Sequence, residues 1–367
     1  MSVTENLIIQ QEPISEYSLL TSEELDHRIA AAKQELGKDL VILGHHYQRD
    51  DVIVFSDHRG DSLQLARIAA GLQDTKYIVF CGVHFMAETT DILTSDDQIV
   101  ILPDMKAGCS MADMADDQEV EECWEVITEQ FGESIIPVTY VNSTAAIKTF
   151  VGKHDGLTIT SSNAEKIFAY ALQAKKRILF LPDQHLGRNT GVKFGIPLNE
   201  MCVYDPKEMK IEYPHGEGDP RVILWKGHCS VHTKFEPRHV HEVRSKYPDI
   251  RVLVHPECMY ETVQLADENG STDYIIKAVR NAPPGTKWAI GTEHNLVNRL
   301  AQEHPEQFIV SLNEMICPCL TMNRIDRPHL LWSLENILAG TPRNIIQVKP
   351  EIAEWAKVAI DRMLQIS

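Results

Sequence analysis

The sequence predicts an α/β protein made of three similar units, each built on a parallel sheet. Three observations carry that prediction. Ten short apolar runs, rich in β-branched residues, recur along the 367 residues. Each is followed by a loop rich in Gly, Ser, Asn or His and, in most cases, by an amphipathic stretch, the cadence of strand, loop and helix in parallel α/β folds. Finally, Cys109, Cys229 and the Cys317-Pro318-Cys319 element each follow one of these runs and close successive thirds of the chain.

In chain order the runs are DLVILGHHY, KYIVFCGVHF and DQIVILPDM, then SIIPVTYVNS, GLTITSSNA, KRILFLPDQH and RVILWKGHCS, then IRVLVHPECM, KWAIGTEHN and QFIVSLNEM. Segments such as DSLQLARIAAGL read as the helices between them. The expected units are residues 31–112, 113–232 and 233–324, with helical flanks at 1–30 and 325–367. No Pro/Gly/Ser-rich linker separates the units, so they are expected to pack tightly.

Composition narrows the function. Lys and Arg number 35 against 53 Asp and Glu, a net charge of −18, which argues against nucleic acid or an anionic membrane as partner. No apolar run approaches the ~20 residues of a membrane span, and the first residues lack a basic-then-apolar leader. A cytoplasmic location is expected. The eight cysteines then read as core residues or metal ligands rather than disulfides.

Ligands of parallel α/β units collect beyond the carboxyl ends of the strands. Reactive side chains crowd those ends here. His45 and Tyr47 follow the first run, and Ser62 opens the next helix, where an ordinary cap is the bland alternative. Tyr140 and Asn142 share one face by period-two alternation, and Ser161 stands in a hydroxyl-rich helix entrance. His255 and Glu257, two residues apart, form an acid/base pair or else a plain ion pair. Ser271 and Thr272 supply another turn suited to anions. Cys109 and Cys229 are expected to open helices, where the N-terminus lowers a thiol pKa; His232 follows Cys229 by three residues. Structural zinc sites favour C-x2-4-C pairs, whereas single thiols, one per unit, suit a cluster at a junction. Spacing alone leaves both open. Cys81, Cys123, Cys202 and Cys258 read as structural.

GHHYQ, GDSLQLA, FCGVHFMAET, PDMKAGCSMAD, TYVNSTAAIK, TSSNA, LPDQHLGRN, WKGHCSVH, HPEC, NGST, GTEHNL and CPCLTMN, in order from about residue 41 to 323, together resemble the quinolinate synthase family. Length and CPCLTMN are similar to its longer bacterial subgroup. The resemblance implies three α/β units around a pseudo-threefold axis, with a [4Fe-4S] cluster at their junction. Its three ligands fall on Cys109, Cys229 and a cysteine of the last element. Many members have one cysteine followed by proline, which matches Cys317; the longer subgroup matches Cys319, the residue chosen here.

The implied reaction condenses iminosuccinate with dihydroxyacetone phosphate to quinolinate, phosphate and water, one iron being left open as a Lewis acid. L-Aspartate oxidase is the implied supplier of iminosuccinate. On this resemblance Glu257 is the main general base, oriented by His255. Tyr47 and His45 serve proton transfer and phosphate departure. Ser62, Tyr140, Asn142, Ser161, His232, Ser271 and Thr272 hold substrate. Two positions depart from the family pattern, His46 for asparagine and His228 for phenylalanine. A mononuclear-metal hydro-lyase or aldolase of three-carbon phosphates is the rival enzyme reading. An iron–sulfur redox sensor is the non-enzyme one, disfavoured by the missing basic patch and helix-turn-helix signal.

Overall fold

The computed structural model describes residues 14–366. Strands β1 (Leu40–His45), β2 (His58–Gly60), β3 (Tyr77–Cys81) and β4 (Ile99–Ile101) make the first sheet. The second contains β5 (Ile135–Tyr140), β6 (Leu157–Ile159), β7 (Arg177–Leu181), β8 (Met201–Asp205), β9 (Lys210–Glu212) and β10 (Val222–Trp225). In the third are β11 (Arg251–Val254), β12 (Glu268–Asn269), β13 (Lys287–Gly291) and β14 (Phe308–Ser311). A last strand, β15 (Ile345–Ile346), returns to the edge of the first sheet and pairs antiparallel with β4.

All ten apolar runs are strands. Their continuous hydrophobicity follows from burial on both faces, as parallel sheets with helices on each side require. Ile42, Val79, Val100, Leu179, Ile223, Val252 and Ile290 are all fully buried. Each sheet repeats one order, with the second strand outermost, then the first, third and fourth: β2-β1-β3-β4, β6-β5-β7-β10 and β12-β11-β13-β14. The second sheet adds the β8–β9 hairpin, whose two strands pair antiparallel beyond β10. The protein is thus α/β with three mostly parallel sheets.

Repetition extends past the strands. Cys109, Cys229 and Cys319 each stand three residues before a 3-10 turn, at Ala112–Met114, His232–Lys234 and Met322–Arg324. An α-helix then begins at Asp117, Pro237 and Arg327, eight residues after each cysteine. In every turn the backbone N–H four residues on, at Asp113, Thr233 and Asn323, donates to the cysteine carbonyl at 3.0–3.2 Å. Each cysteine therefore opens a 3-10 turn and not the helix expected of it. The helices are capped later, by Asp116, Glu236 and Asp326.

The expected N-terminal flank lies outside the described residues over 1–13; helix Ser22–Leu36 follows. At the other end, helix Pro350–Ile366 buries Ala356, Ala359, Ile360 and Met363. Gly152 in helix Ala145–Lys153 permits that contact, since a Cβ there would sit 2.0 Å from the Trp355 carbonyl oxygen. Among the described residues, no helix is long and apolar enough to cross a membrane.

Candidate active site and metal centre

The carboxyl ends of the three sheets meet at one cavity, and the same loops line it three times over. From the end of each first strand and the loop after it come two residues spaced by two: His45 and Tyr47, Tyr140 and Asn142, His255 and Glu257. From the helix entrance after each second strand come Ser62, Ser161 and Thr272. Cys109, Cys229 and Cys319 come from the turns after the fourth strands, and His232 joins them. Ser271 alone among the expected residues lies elsewhere. It lines a neighbouring pocket and caps helix Thr272–Asn281 by accepting from Tyr274 N at 3.3 Å.

A buried chain of hydrogen bonds crosses the polar side of this cavity. The Tyr140 hydroxyl donates to Glu257 Oε1 at 2.6 Å, and His232 Nδ1 donates to Glu257 Oε2 at 2.8 Å. His232 Nε2 lies 3.3 Å from the Thr292 hydroxyl. That hydroxyl is 2.9 Å from the Tyr47 hydroxyl, which lies 2.9 Å from Thr272 Oγ1. One consistent orientation runs Thr272 to Tyr47 to Thr292 to His232 to Glu257. Sequence reasoning missed Thr292. The signal available was its place in GTEHNL at the end of β13, and it is completely buried.

The expected orienting partner of Glu257 was His255; the structure gives that place to His232. His255 Nδ1 is 3.8 Å from the carboxylate and accepts the Glu257 backbone N–H at 3.3 Å. His45 does likewise, its Nδ1 accepting the Tyr47 N–H at 3.1 Å. A loop that turns back on its own imidazole leaves Nε2 to carry the proton. Burial also pushes both imidazoles down to about 3, so each is a neutral donor at ordinary pH. The His255 ring stacks on His232 with centroids 4.5 Å apart.

Burial opposes charge on Glu257, but His232, His255 and the Tyr140 hydrogen bond outweigh it and draw the carboxyl down to about 2. It is an anion. Burial, reinforced by that anion, keeps the Tyr47 and Tyr140 phenols protonated well above their usual range. Asn142 Oδ1 is buried with no hydrogen-bond partner in the protein, an acceptor left for a ligand. Glu293, at the start of helix His294–Glu303, is pushed up to about 7 by burial against three N–H donors.

The thiol side is chemically different. Burial pushes the Cys109 thiol up to about 12 and the Cys229 thiol well above its usual range. Backbone N–H groups of Met111 and Ala112 at Cys109, and of Val231 and His232 at Cys229, pull the other way and lose. The expected depression by a helix start fails because burial dominates over a single 3-10 turn. Such thiols become thiolates only when a metal replaces the proton.

Can these residues hold one? All eight cysteines are free thiols. The three on the cavity are linked electrostatically, Cys319 acting on Cys109 and Cys109 on Cys229. Soft thiol donors with N–H groups aimed at the sulfur suit an iron–sulfur centre. Cys229, His232 and Glu257 also bring one ligand atom each within 4.8 Å of one another. Cys81, Cys123, Cys202 and Cys258 are fully buried core residues, Cys317 is exposed, and so is His228.

The family model described as quinolinate synthetase A protein matches residues 27–365. The chain is 58% identical to the quinolinate synthase of Geobacillus kaustophilus over 367 residues, covering 100% of each. It is 59% identical to that of Anoxybacillus flavithermus over 348 residues, 95% of each chain. With the Bacillus subtilis quinolinate synthase it shares 57% over 351 residues, 96% of this chain and 95% of the relative.

Proposed function

This chain belongs to the quinolinate synthetase A family, and on that premise we propose that it condenses iminosuccinate with dihydroxyacetone phosphate to quinolinate, phosphate and water. The observation that carries the proposal is the meeting, on one cavity, of three thiols with a buried acid/base chain. In this reading the three units, 31–112, 113–232 and 233–324, surround a pseudo-threefold axis. Cys109, Cys229 and Cys319 hold a [4Fe-4S] cluster. When bound, the cluster supplies an iron with no protein ligand, a Lewis acid for the loss of water.

The rest falls to the side chains. Ser62 and Ser161, with the His45 and His255 imidazoles, donate to the carboxylates and phosphate, while Thr272 holds Tyr47 beside them. Asn142, whose Oδ1 is free, orients the nitrogen-bearing substrate. Glu257 accepts the proton. Its resting basicity is low, and a substrate carboxylate that draws away the Tyr140 hydrogen bond raises it. Once Glu257 is protonated the chain can stand reversed, with His232 Nδ1 accepting from the carboxyl and Nε2–H donating through Thr292 to Tyr47, which protonates the leaving oxygen. Burial of these groups keeps water from the imine and enol intermediates.

A mononuclear site at Cys229, His232 and Glu257 is the competing reading. Both imidazole nitrogens and both carboxylate oxygens there already carry hydrogen bonds, so a metal would have to dismantle the chain. The decisive experiment is quinolinate formation from the two substrates by anaerobically purified protein. A brown, active preparation is expected; a colourless preparation with equal activity would favour the mononuclear site. The free thiols suit a cytoplasmic enzyme supplied with iminosuccinate by an L-aspartate oxidase.

A further inference from the structure

The three cysteine turns are clasped in a ring. Five residues after Cys109, the Met114 carbonyl accepts from Trp225 Nε1 of the second unit at 2.7 Å. Five after Cys229, the Lys234 carbonyl accepts from Asn313 Nδ2 of the third unit at 3.1 Å. Five after Cys319, Arg324 Nε donates to Asp104 Oδ2 of the first unit at 2.8 Å. The first two clasps seize the main chain of the turn. The third seizes only a side chain, through a carboxylate that is fully buried.

The same contrast holds inside each unit. His84 N donates to the Ala107 carbonyl at 2.8 Å, and Gln184 N to the Gly227 carbonyl at 3.1 Å. These bonds fix the chain two residues before Cys109 and before Cys229. The corresponding pair in the third unit, His294 N and Cys317 O, is not bonded among the described residues. Glu293 takes over: its Oε1 accepts Cys319 N at 3.1 Å. Its Oε2 accepts from Asn295 N at 2.7 Å and Leu296 N at 3.3 Å. Glu293 is also fully buried.

We propose that Asp104 and Glu293 are positioning residues for Cys319, two side-chain carboxylates doing for the third ligand what main-chain hydrogen bonds do for the other two. Neither is a ligand. A ligand held by groups behind it keeps its metal by orientation, and loss of such a group commonly weakens retention 10- to 100-fold. Glutamine at 293 has one acceptor oxygen and cannot serve both Cys319 N and the helix start. Asparagine at 104 loses the charge that Arg324 meets.

The inference rests on the three-cysteine metal reading, and its test separates the two. Anaerobic, metal-loaded wild type, Asp104→Asn, Arg324→Gln, Glu293→Gln and the Asp104→Asn/Arg324→Gln double variant are mixed with a ferrous chelator, and iron transfer is timed. Each single variant is expected to release iron about 10- to 100-fold faster than wild type. The double variant should be no faster than Asp104→Asn alone, because that substitution already removes the clasp that Arg324 makes. Arg324, with a side chain 40% exposed, guards against a folding failure at buried Asp104. Wild-type release rates from Arg324→Gln and Glu293→Gln would overturn the proposal. A wild type carrying a single metal ion without sulfide would instead sink the cluster reading, and the clasp proposal with it, because the mononuclear site of Cys229, His232 and Glu257 does not include Cys319.

Discussion

The two sides of the cavity differ in what they lack. On the polar side Tyr140, Glu257, His232, Thr292, Tyr47 and Thr272 form an unbroken hydrogen-bonded chain. It is complete without any guest. On the thiol side Cys109 and Cys229 are half-buried and held protonated, and a metal would make thiolates of them. On the proposed reading, one side is finished by folding and the other by cofactor assembly. Substitutions on each should therefore fail in different ways: loss of metal with the fold intact on one, loss of rate with the metal intact on the other.

The largest effect belongs to the thiols. Cys109→Ser, Cys229→Ser and Cys319→Ser should each abolish turnover and lose the complement of about four irons and four sulfides. Cys123→Ser and Cys202→Ser, in the core of the second unit, should keep it, as should exposed Cys317→Ser. A brown Cys319→Ser protein beside a bleached Cys317→Ser one would move the third ligand by two positions and break the repeat of the three turns.

A smaller effect tests continuity on the polar side. Thr292→Val preserves shape but removes the hydroxyl between His232 and Tyr47. One net hydrogen bond is worth about 1 kcal/mol, so kcat should fall about fivefold while iron content and KM stay near wild type. Unchanged kcat would mean that Tyr47 and His232 act independently.

Much of this site was legible in the sequence because it depends on strand ends. Each apolar run announced where its carboxyl end would lie, and period-two spacing paired His255 with Glu257 and Tyr140 with Asn142. Contacts between units were not legible. His232 displaced His255 beside Glu257 because two units bring their loops together there, which no local pattern encodes. Thr292 looked like an ordinary strand-end hydroxyl until Tyr47, 245 residues away, met it. Short strands such as β2 and β12 were missed because His58-Arg59-Gly60 and Glu268-Asn269 are polar and form no apolar run. The thiol pKa values were misjudged because sequence shows a turn but not its depth.

A last effect, on stability and not on turnover, lies at His46. Burial draws His46 down to about 4, against about 6.5 in an unfolded chain. Between those values the unfolded chain binds a proton that the folded one refuses. Stability is therefore lost as pH falls from about 6.5 towards 4, and nothing is lost above that window. At pH 5 the cost is about 2 kcal/mol. His46→Asn should gain roughly that much at pH 5 relative to its effect at pH 8, in urea unfolding of matched preparations. Equal differences at both pH values would contradict the shift.

The contrast between the two sides is tested most directly by iron, sulfide and turnover measured on one anaerobic preparation of Glu257→Gln. This substitution removes the basic oxygen and leaves all three thiols in place. The predicted protein is brown, holds about four irons and four sulfides, and turns over roughly 10²- to 10⁴-fold more slowly than wild type. A colourless Glu257→Gln protein would make the carboxylate a metal ligand. A brown one with near wild-type turnover would move the general base to another residue.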